Sequence, residues 1–205
     1  MTDLVLIGGG RFSTEVAEVA TQNGFNLVGY VDRVKTSSNL SYLGLPDEFL
    51  LKANESLSIF PAFGALDRKS ILARTKSLQA LKKFKVPSLV SNFSYVSDTV
   101  KLGRGSFVSH GVVINPDANI GEFTIINSGS VIGHDVLLSD FSIISGKVFL
   151  GGECKIGENS LIGPGATVLQ NINIGSEVIV SVGSIIGRNI PNGKTTLPVL
   201  SRVVN

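Results

Sequence analysis

From Val96 onward an aliphatic residue returns at every sixth position without interruption. The column runs Val96, Leu102, Val108, Ile114, Ile120, Ile126, Ile132 and Leu138, then Ile144, Leu150, Ile156, Ile162, Val168, Ile174, Val180 and Ile186. Four places after each aliphatic the residue is mostly small or β-branched, as at Ser106, Val112, Ala118, Thr124, Ser130, Val136 and Cys154. Directly after it stands Gly, Ser or Asn in most repeats, among them Gly103, Gly121, Asn127, Gly133, Gly157, Gly163 and Gly175. These residue types tolerate the backbone conformations of tight corners. A period of six matches neither a helix nor a two-sided strand. It predicts short parallel strands joined by turns, stacked so that each aliphatic fills the interior above its equivalent. No insertion interrupts the pattern from Val96 to Asn189.

Residues 1–90 follow a different rhythm. Leu4–Ile7 predicts an apolar strand running into Gly8-Gly9-Gly10. Ser13 or Thr14 then caps a helix, Glu15 favours its first turn, and Gly24 closes it. Asn26–Val31 predicts a second strand ending at Asp32. A glycine turn at a helix start can receive phosphate, and a carboxylate at the next strand end can accept hydrogen bonds from ribose or base. The strict dinucleotide fingerprint fails, because Ser13 stands where its third glycine belongs. Further strands are expected at Leu57–Phe63, reaching Gly64, and at Lys85–Val90, with a helix over Leu66–Leu81 between them. About 90 residues are too few for a two-halved dinucleotide domain, which argues against NAD chemistry. Lys82, Lys83 and Lys85 read as a solvated helix end.

Composition narrows the function classes. Of 205 residues, 43% are hydrophobic and 17% charged, which excludes general disorder. A net charge of +2 argues for neither nucleic acid nor an anionic membrane as partner. No apolar run approaches a membrane span, and the N-terminus lacks the features of a signal peptide, so a cytoplasmic location is expected. The single cysteine, Cys154, excludes an internal disulfide and a cysteine zinc cluster; it falls in the small inward column, where a packed thiol is expected.

The hexapeptide period resembles that of the hexapeptide-repeat acyltransferases, whose left-handed parallel β-helix has three hexapeptides per coil. Taken with the βαβ opening, the whole chain is similar to the bacterial family of nucleotide-sugar N-acetyltransferases and sialic-acid O-acetyltransferase-like proteins. The resemblance implies a Rossmann-like α/β domain over residues 1–90 that binds the sugar nucleotide. It implies an all-β left-handed solenoid over 91–205 that forms a homotrimer and binds acetyl-CoA between subunits, with no metal. The implied activity is acetyl-CoA-dependent N-acetylation of a nucleotide-linked amino sugar for surface glycans. O-acetylation of a sugar such as sialic acid, and a non-catalytic solenoid for binding or assembly, are the competing readings.

There are two histidines, His110 and His134. Each lies two places after a column aliphatic, where a side chain projects from the coil, and an imidazole suits proton removal near neutral pH. Either can instead cap a corner. Stacked at 18 residues, Arg104, Glu122, Asp140, Glu158 and Ser176 form a charged edge read as solvated. Pro116, His134, Gly152, Gln170 and Arg188 form a second, and His110, Ser128, Gly146, Pro164 and Val182 a third, both suited to a groove between subunits.

Ser130-Val131-Ile132-Gly133-His134-Asp135 resembles the family's catalytic segment. By that resemblance His134 is the base, Asp135 orients it or raises its basicity, and the Gly152 amide receives the oxyanion. Asn127 contacts the acceptor sugar, and Ile143, Pro164 and Val182 contact acetyl-CoA, with turn packing as the alternative. Gly10, Arg11 and Phe12, then Asp32 and Arg33, then Gly64, match the nucleotide-sugar positions. Arg11-Phe12 replaces a common Gly-His pair, and Arg33 replaces a second acidic residue. Leu197-Pro198-Val199-Leu200 replaces the pattern Val-Pro-Ala-Lys that touches the distal part of CoA.

Overall fold

The computed structural model describes residues 1–36, 39–54 and 56–197. The chain opens with β1 (Thr2–Ile7), α1 (Arg11–Gln22), β2 (Phe25–Val31), α2 (Pro46–Lys52), β3 (Ser58–Pro61) and α3 (Arg68–Leu78), followed by a 3₁₀ turn at Gln79–Leu81. The three strands form a parallel sheet in the order β2-β1-β3. Central β1 buries Leu4, Val5 and Leu6 completely or nearly so, as a parallel strand covered on both faces requires.

Local chemistry shifts several expected boundaries. Gly10, extended at ψ −178°, is the N-cap of α1 and supplies no side-chain bond. Ser13 and Thr14 therefore lie inside the first turn, where Ser13 is buried and its hydroxyl donates to the Gly10 carbonyl at 2.6 Å. Gly24 does close the helix, at φ +79°. Helix α2 had no apolar period to announce it; Pro46 starts it and Asp47 and Glu48 fill its first turn. Helix α3 starts at Arg68 because the Asp67 carboxylate accepts the Ser70 N–H at 2.7 Å. That bond also holds the Asp67 carboxyl below its ordinary range. Of Lys85–Val90, Lys85 makes an isolated parallel bridge to Ser58 of β3, while Leu89–Val90 is strand and pairs with Phe107–Val108 of the solenoid. Pro87 cannot donate to a ladder and interrupts the run.

From Leu89 the chain winds as a parallel solenoid of two-residue strands in three sheets. Each strand pairs with the strand 18 residues on, as in Ile125↔Ile143, Val131↔Phe149 and Leu137↔Lys155. The aliphatic column and the small column beside it form one interior cluster, in which Ile132, Ile144 and Cys154 are fully buried. The Cys154 thiol donates to the Leu169 carbonyl at 3.0 Å, and burial pushes its pKa up. It is the packed thiol the pattern predicted.

The outward positions make the three sheets unequal. On one face Leu89, Phe107, Ile125, Ile143 and Leu161 are buried against Leu6, Phe60 and Ile71 of the N-terminal unit. This is the covered face. The second exposes Tyr95, Phe149 and Ile185, the third Lys101, Lys155 and Asn173. Helix α1 is fastened beside the covered face through Asn23, whose side chain exchanges two hydrogen bonds with Val90. Helix α3 is fastened on the other side: Thr75 donates to Asn159 at 2.6 Å and Arg68 to the Gly193 carbonyl at 2.7 Å. The charged edge is consequently not wholly solvated. Arg104 donates to the Leu81, Lys82 and Phe84 carbonyls, and Phe123 stacks on Phe141 beneath α3.

The glycines directly after the column aliphatic serve close approach rather than a special dihedral. Positive φ falls three places after the column aliphatic, at Asp117, Phe123, Asp135 and Asn159 among others. The glycine directly after the aliphatic lies against the next coil: a Cβ on Gly157 would sit 2.4 Å from the Gly175 carbonyl carbon. Gly157→Ala should therefore destabilise by about 3 kcal/mol, the upper range for overpacking. Gly165→Ala, at φ +65° with open space around it, should cost only about 1–2 kcal/mol. Urea denaturation of the two variants tests the order; equal losses would refute it.

Candidate active site

The solenoid stacking places His134 directly above Gly152. A Cβ on Gly152 would lie 2.5 Å from His134 Nε2, so only glycine leaves room for the ring. Asp135 adopts φ +57°, a conformation that aspartate tolerates. Its side chain lies beside the preceding ring, where His134 Nδ1 donates to Oδ2 at 2.8 Å. Both side chains are more than half exposed, at 61% and 57%. In a neutral ring, donation from Nδ1 leaves a lone pair on Nε2. Gly152 is half-buried, its carbonyl accepts from Asn171, and no acceptor among the described residues takes its N–H. An outward imidazole, a carboxylate hydrogen-bonded to it and an uncommitted amide thus share one edge.

His110 occupies a different environment. Its Nδ1 lies 2.6 Å from the Ser91 hydroxyl, its Nε2 3.7 Å from the Glu18 carboxylate, and Phe93 packs edge-on against the ring. One residue earlier, Ser109 donates to Glu15 of α1. His110 belongs to the fastening of α1 onto the solenoid.

Six of the other candidate residues, Phe12, Asp32, Arg33, Gly64, Asn127 and Ile143, line two cavities that share exposed Gly64. A cavity of about 390 Å³ beside the His110 edge collects Phe12, Gly64, Asn127 and Ile143, with Ala65, Leu66, Ile125 and Ser145. Ile143 therefore lies with the acceptor candidates, beneath the N-terminal unit, and not with Gly152. Phe12 meets Phe107 edge-on at 5.2 Å and seals one side. The second cavity, about 740 Å³, opens at the C-terminal ends of β1 and β2 and includes Gly8, Asp32, Arg33, Asp47, Gly64 and Arg74 in its lining. Ligands of open parallel sheets bind at such strand ends. The Asp32 carboxylate accepts from the Gly9 N–H at 2.8 Å and the Arg33 N–H at 2.6 Å, which binds the glycine loop to the end of β2.

Gly10 and Arg11 are exposed at the start of α1 and line neither cavity. Pro164 and Val182 are exposed further along the His110 edge. His134 and Asn127 stand on two different edges of one triangular coil, so a single protomer does not bring all the candidates together. Leu197 is described; Pro198, Val199 and Leu200 lie outside the described residues. Sequence reasoning passed over Arg74. Its signal was a charged residue on the apolar stripe Ile71–Arg74–Leu78 of α3, where core is expected.

A hexapeptide solenoid carrying an outward histidine–carboxylate pair defines the class of hexapeptide-repeat acyltransferases. Comparison with known proteins narrows the class. Residues 3–75 match the PglD N-terminal domain family. The acetyltransferase domain of PglB from Neisseria gonorrhoeae is 31% identical, with a TM-score of 0.85 over 95% of this chain and 96% of that one. The same domain in complex with acetyl coenzyme A aligns at 30% identity and TM-score 0.84, over 94% of each chain. A histidine-to-asparagine mutant of perosamine N-acetyltransferase from Caulobacter crescentus, in complex with CoA and GDP-perosamine, is 28% identical, with a TM-score of 0.84 over 93% of this chain and 91% of that one. No curated protein sequence matches. The chain belongs to the PglD-like family of hexapeptide-repeat acetyltransferases, with a Rossmann-like N-terminal unit and a left-handed parallel β-helix. Among the described residues no helix is long and apolar enough to cross a membrane, and no group of three His, Cys, Asp or Glu residues is placed to hold a metal.

His110→Ala should lower unfolding free energy by about 1 kcal/mol, the worth of one ordinary hydrogen bond. His134→Ala, at an exposed site away from the core, should change it by less than about 0.5 kcal/mol. Chemical denaturation of both variants measures the contrast, and a larger loss at His134 would reverse the assignment of the two rings.

Proposed function

We propose that the protein transfers the acetyl group of acetyl-CoA to the amino group of a nucleotide-linked amino sugar, with His134 as general base. The observation that carries this reading is the His134–Asp135 pair standing over Gly152 with Nε2 and the Gly152 N–H both uncommitted. The acceptor nitrogen attacks the thioester carbonyl carbon while Nε2 takes its proton. The imidazolium formed is stabilised by the adjacent carboxylate. Gly152 N–H is placed to donate to the tetrahedral oxyanion. Collapse breaks the carbon–sulfur bond, and the proton on Nε2 passes to the departing thiolate. Relatives with bound acetyl coenzyme A, or with CoA and GDP-perosamine together, support both substrate classes.

Asp32, Arg33 and Gly64, with the glycine loop through Gly10, Arg11 and Phe12, hold the nucleotide sugar. Asn127 meets its sugar. Acetyl-CoA lies along Gly152, Pro164 and Val182, small or exposed positions that leave room for a long ligand. A reaction between these co-substrates fits the cytoplasm, before the sugar enters a surface glycan.

Assembly as a homotrimer follows from the same reading. Tyr95, Phe149, Leu169, Val182 and Ile185 are about half exposed or more on one face and its two flanking edges. A closed threefold ring buries this strip and brings the His134 edge of one copy to the His110 edge of the next. Phe149→Asp together with Ile185→Asp should convert a trimer to monomers in sedimentation analysis and abolish transfer. A wild-type monomer at micromolar concentration would refute the assembly.

Replacing His134 by Ala should lower the rate by roughly 10²–10⁴-fold while the fold survives. Thiol release from acetyl-CoA, assayed with a panel of nucleotide-linked amino sugars, is the direct test. Near-normal turnover by a folded His134→Ala trimer would overturn the mechanism. Acetylation of hydroxyl but not amino acceptors would move the chemistry to oxygen. Asp32→Ala should weaken acceptor binding and leave acetyl-CoA binding intact.

A further inference from the structure

Helix α3 carries one charged residue on its buried side. Arg74 is 3% exposed and lines the 740 Å³ cavity. Its Nε donates to the Phe63 carbonyl at 3.2 Å and one terminal nitrogen, Nη2, to the Phe123 carbonyl at 2.9 Å. The other, Nη1, is buried and has no partner. Among the described residues no carboxylate lies within ion-pair distance of the guanidinium; the salt bridges there are the two histidine pairs. Desolvation alone brings its pKa from the ordinary arginine range down to about 10, so it stays charged at neutral pH.

Burying a cation without a counter-ion is strongly unfavourable, and buried donors are nearly always satisfied. Here both conditions fail in one side chain, and they fail at the wall of a cavity. The two carboxylates that line the same cavity, Asp32 and Asp47, do not relieve them, because neither lies within ion-pair distance of the guanidinium. The two carbonyls that do hold Arg74 fix its place: Phe63 precedes Gly64, the residue shared by the two cavities, and Phe123 belongs to a solenoid corner.

We propose that Arg74 is a recognition residue for the nucleotide, its Nη1 donating to an acceptor oxygen of the bound ligand, either a phosphate oxygen or a base carbonyl. The proposal rests on the nucleotide-sugar reading above. It makes the nucleotide supply the missing partner of a buried charge, so the empty cavity carries a cost that binding removes. Bases offering a carbonyl, such as uracil and guanine, satisfy a pure donor; an exocyclic amine at that position does not.

Isothermal titration calorimetry of the full chain with UDP and GDP, with uridine and guanosine, and with inorganic diphosphate tests it. At least one nucleoside diphosphate should bind the wild type. Arg74→Met should weaken that binding roughly 10- to 100-fold, the range for a lost hydrogen bond to a charged group. Arg74→Lys should fall between, and acetyl-CoA affinity should be unchanged in both. A loss seen with nucleosides as well as diphosphates assigns the base carbonyl; a loss confined to diphosphates assigns the phosphate. A merely structural arginine would instead lower melting temperature and weaken nucleotide and acetyl-CoA alike, which would overturn the proposal. So would folded variants that bind the diphosphate as tightly as wild type. Should the variants not fold, the Arg74 guanidinium ¹⁵N resonances of the wild type must shift on saturation with that nucleotide, and their constancy would refute the contact. A wild type that binds no nucleotide at all would remove the nucleotide-sugar reading and this proposal with it.

Discussion

Stacking of each coil on the next at 18 residues is the constraint on which the other features of the molecule depend. Backbone amides along the strands and at the corners donate to the coil above or below, as Gly133 does to Leu150 and Asp135 to Pro116. A single inserted residue would break this register in every following coil. The consequence is that residues far apart in sequence acquire fixed neighbours in columns. Gly152 exists in the His134 column because the ring of one coil rests on the α-carbon of the next. The same stacking brings glycines directly after a column aliphatic, such as Gly133 and Gly157, into close backbone contact and leaves the position two places after the aliphatic free to project. Chemistry can therefore be placed on the edge at no cost to the interior.

Three nearly identical coil sides meet different surroundings, one covered and two exposed, and the difference lies in one outward position per repeat. Phe107, Ile125, Ile143 and Leu161 are packed under the N-terminal unit, whereas the corresponding Lys101, Lys155 and Asn173 face solvent. The N-terminal sheet has three strands and could bury little by itself. It shares a hydrophobic cluster with the solenoid face, and its helices are tied to the two flanking edges by Asn23 on one side and Thr75 and Arg68 on the other. The cavity at the strand ends and the cavity beside Asn127 are thus held in a fixed relation by packing rather than by a linker.

The solenoid was legible from Val96 onward because its signal is periodic and repeated, and a side chain two places after the aliphatic has only one direction to go. The periodicity marked His134 and His110 alike as outward, and the His134–Asp135 pair was legible through the resemblance of its segment. What escaped depends on tertiary contact. The segment around His134 set it apart from His110, but what His110 does instead was not legible, because its partners Ser91, Glu18 and Phe93 come from another coil or another unit. The Lys85–Val90 run has the apolar content of a strand, but Pro87 divides it and the solenoid takes its second half. Helix α2 is seven residues long, too short for an apolar period to show. Arg74 was visible only as a misfit on an apolar stripe, and the meaning of a misfit is set by what surrounds it.

The division of the candidate site between edges has a further physical consequence. A base that is 61% exposed operates in high dielectric, where an uncommitted amide and a neighbouring carboxylate exert little of their potential influence on charge. Electrostatic stabilisation of an oxyanion needs water to be excluded from around it. The single protomer supplies the groups at the His134 edge but no wall over them, while the enclosed, apolar side of Phe12, Ile125 and Ile143 lies at the other edge. Chemistry at His134 therefore requires a second surface to close over the ring. The threefold arrangement proposed above would supply that surface from the same sequence, which would make assembly a condition of the catalytic electrostatics and not an addition to them.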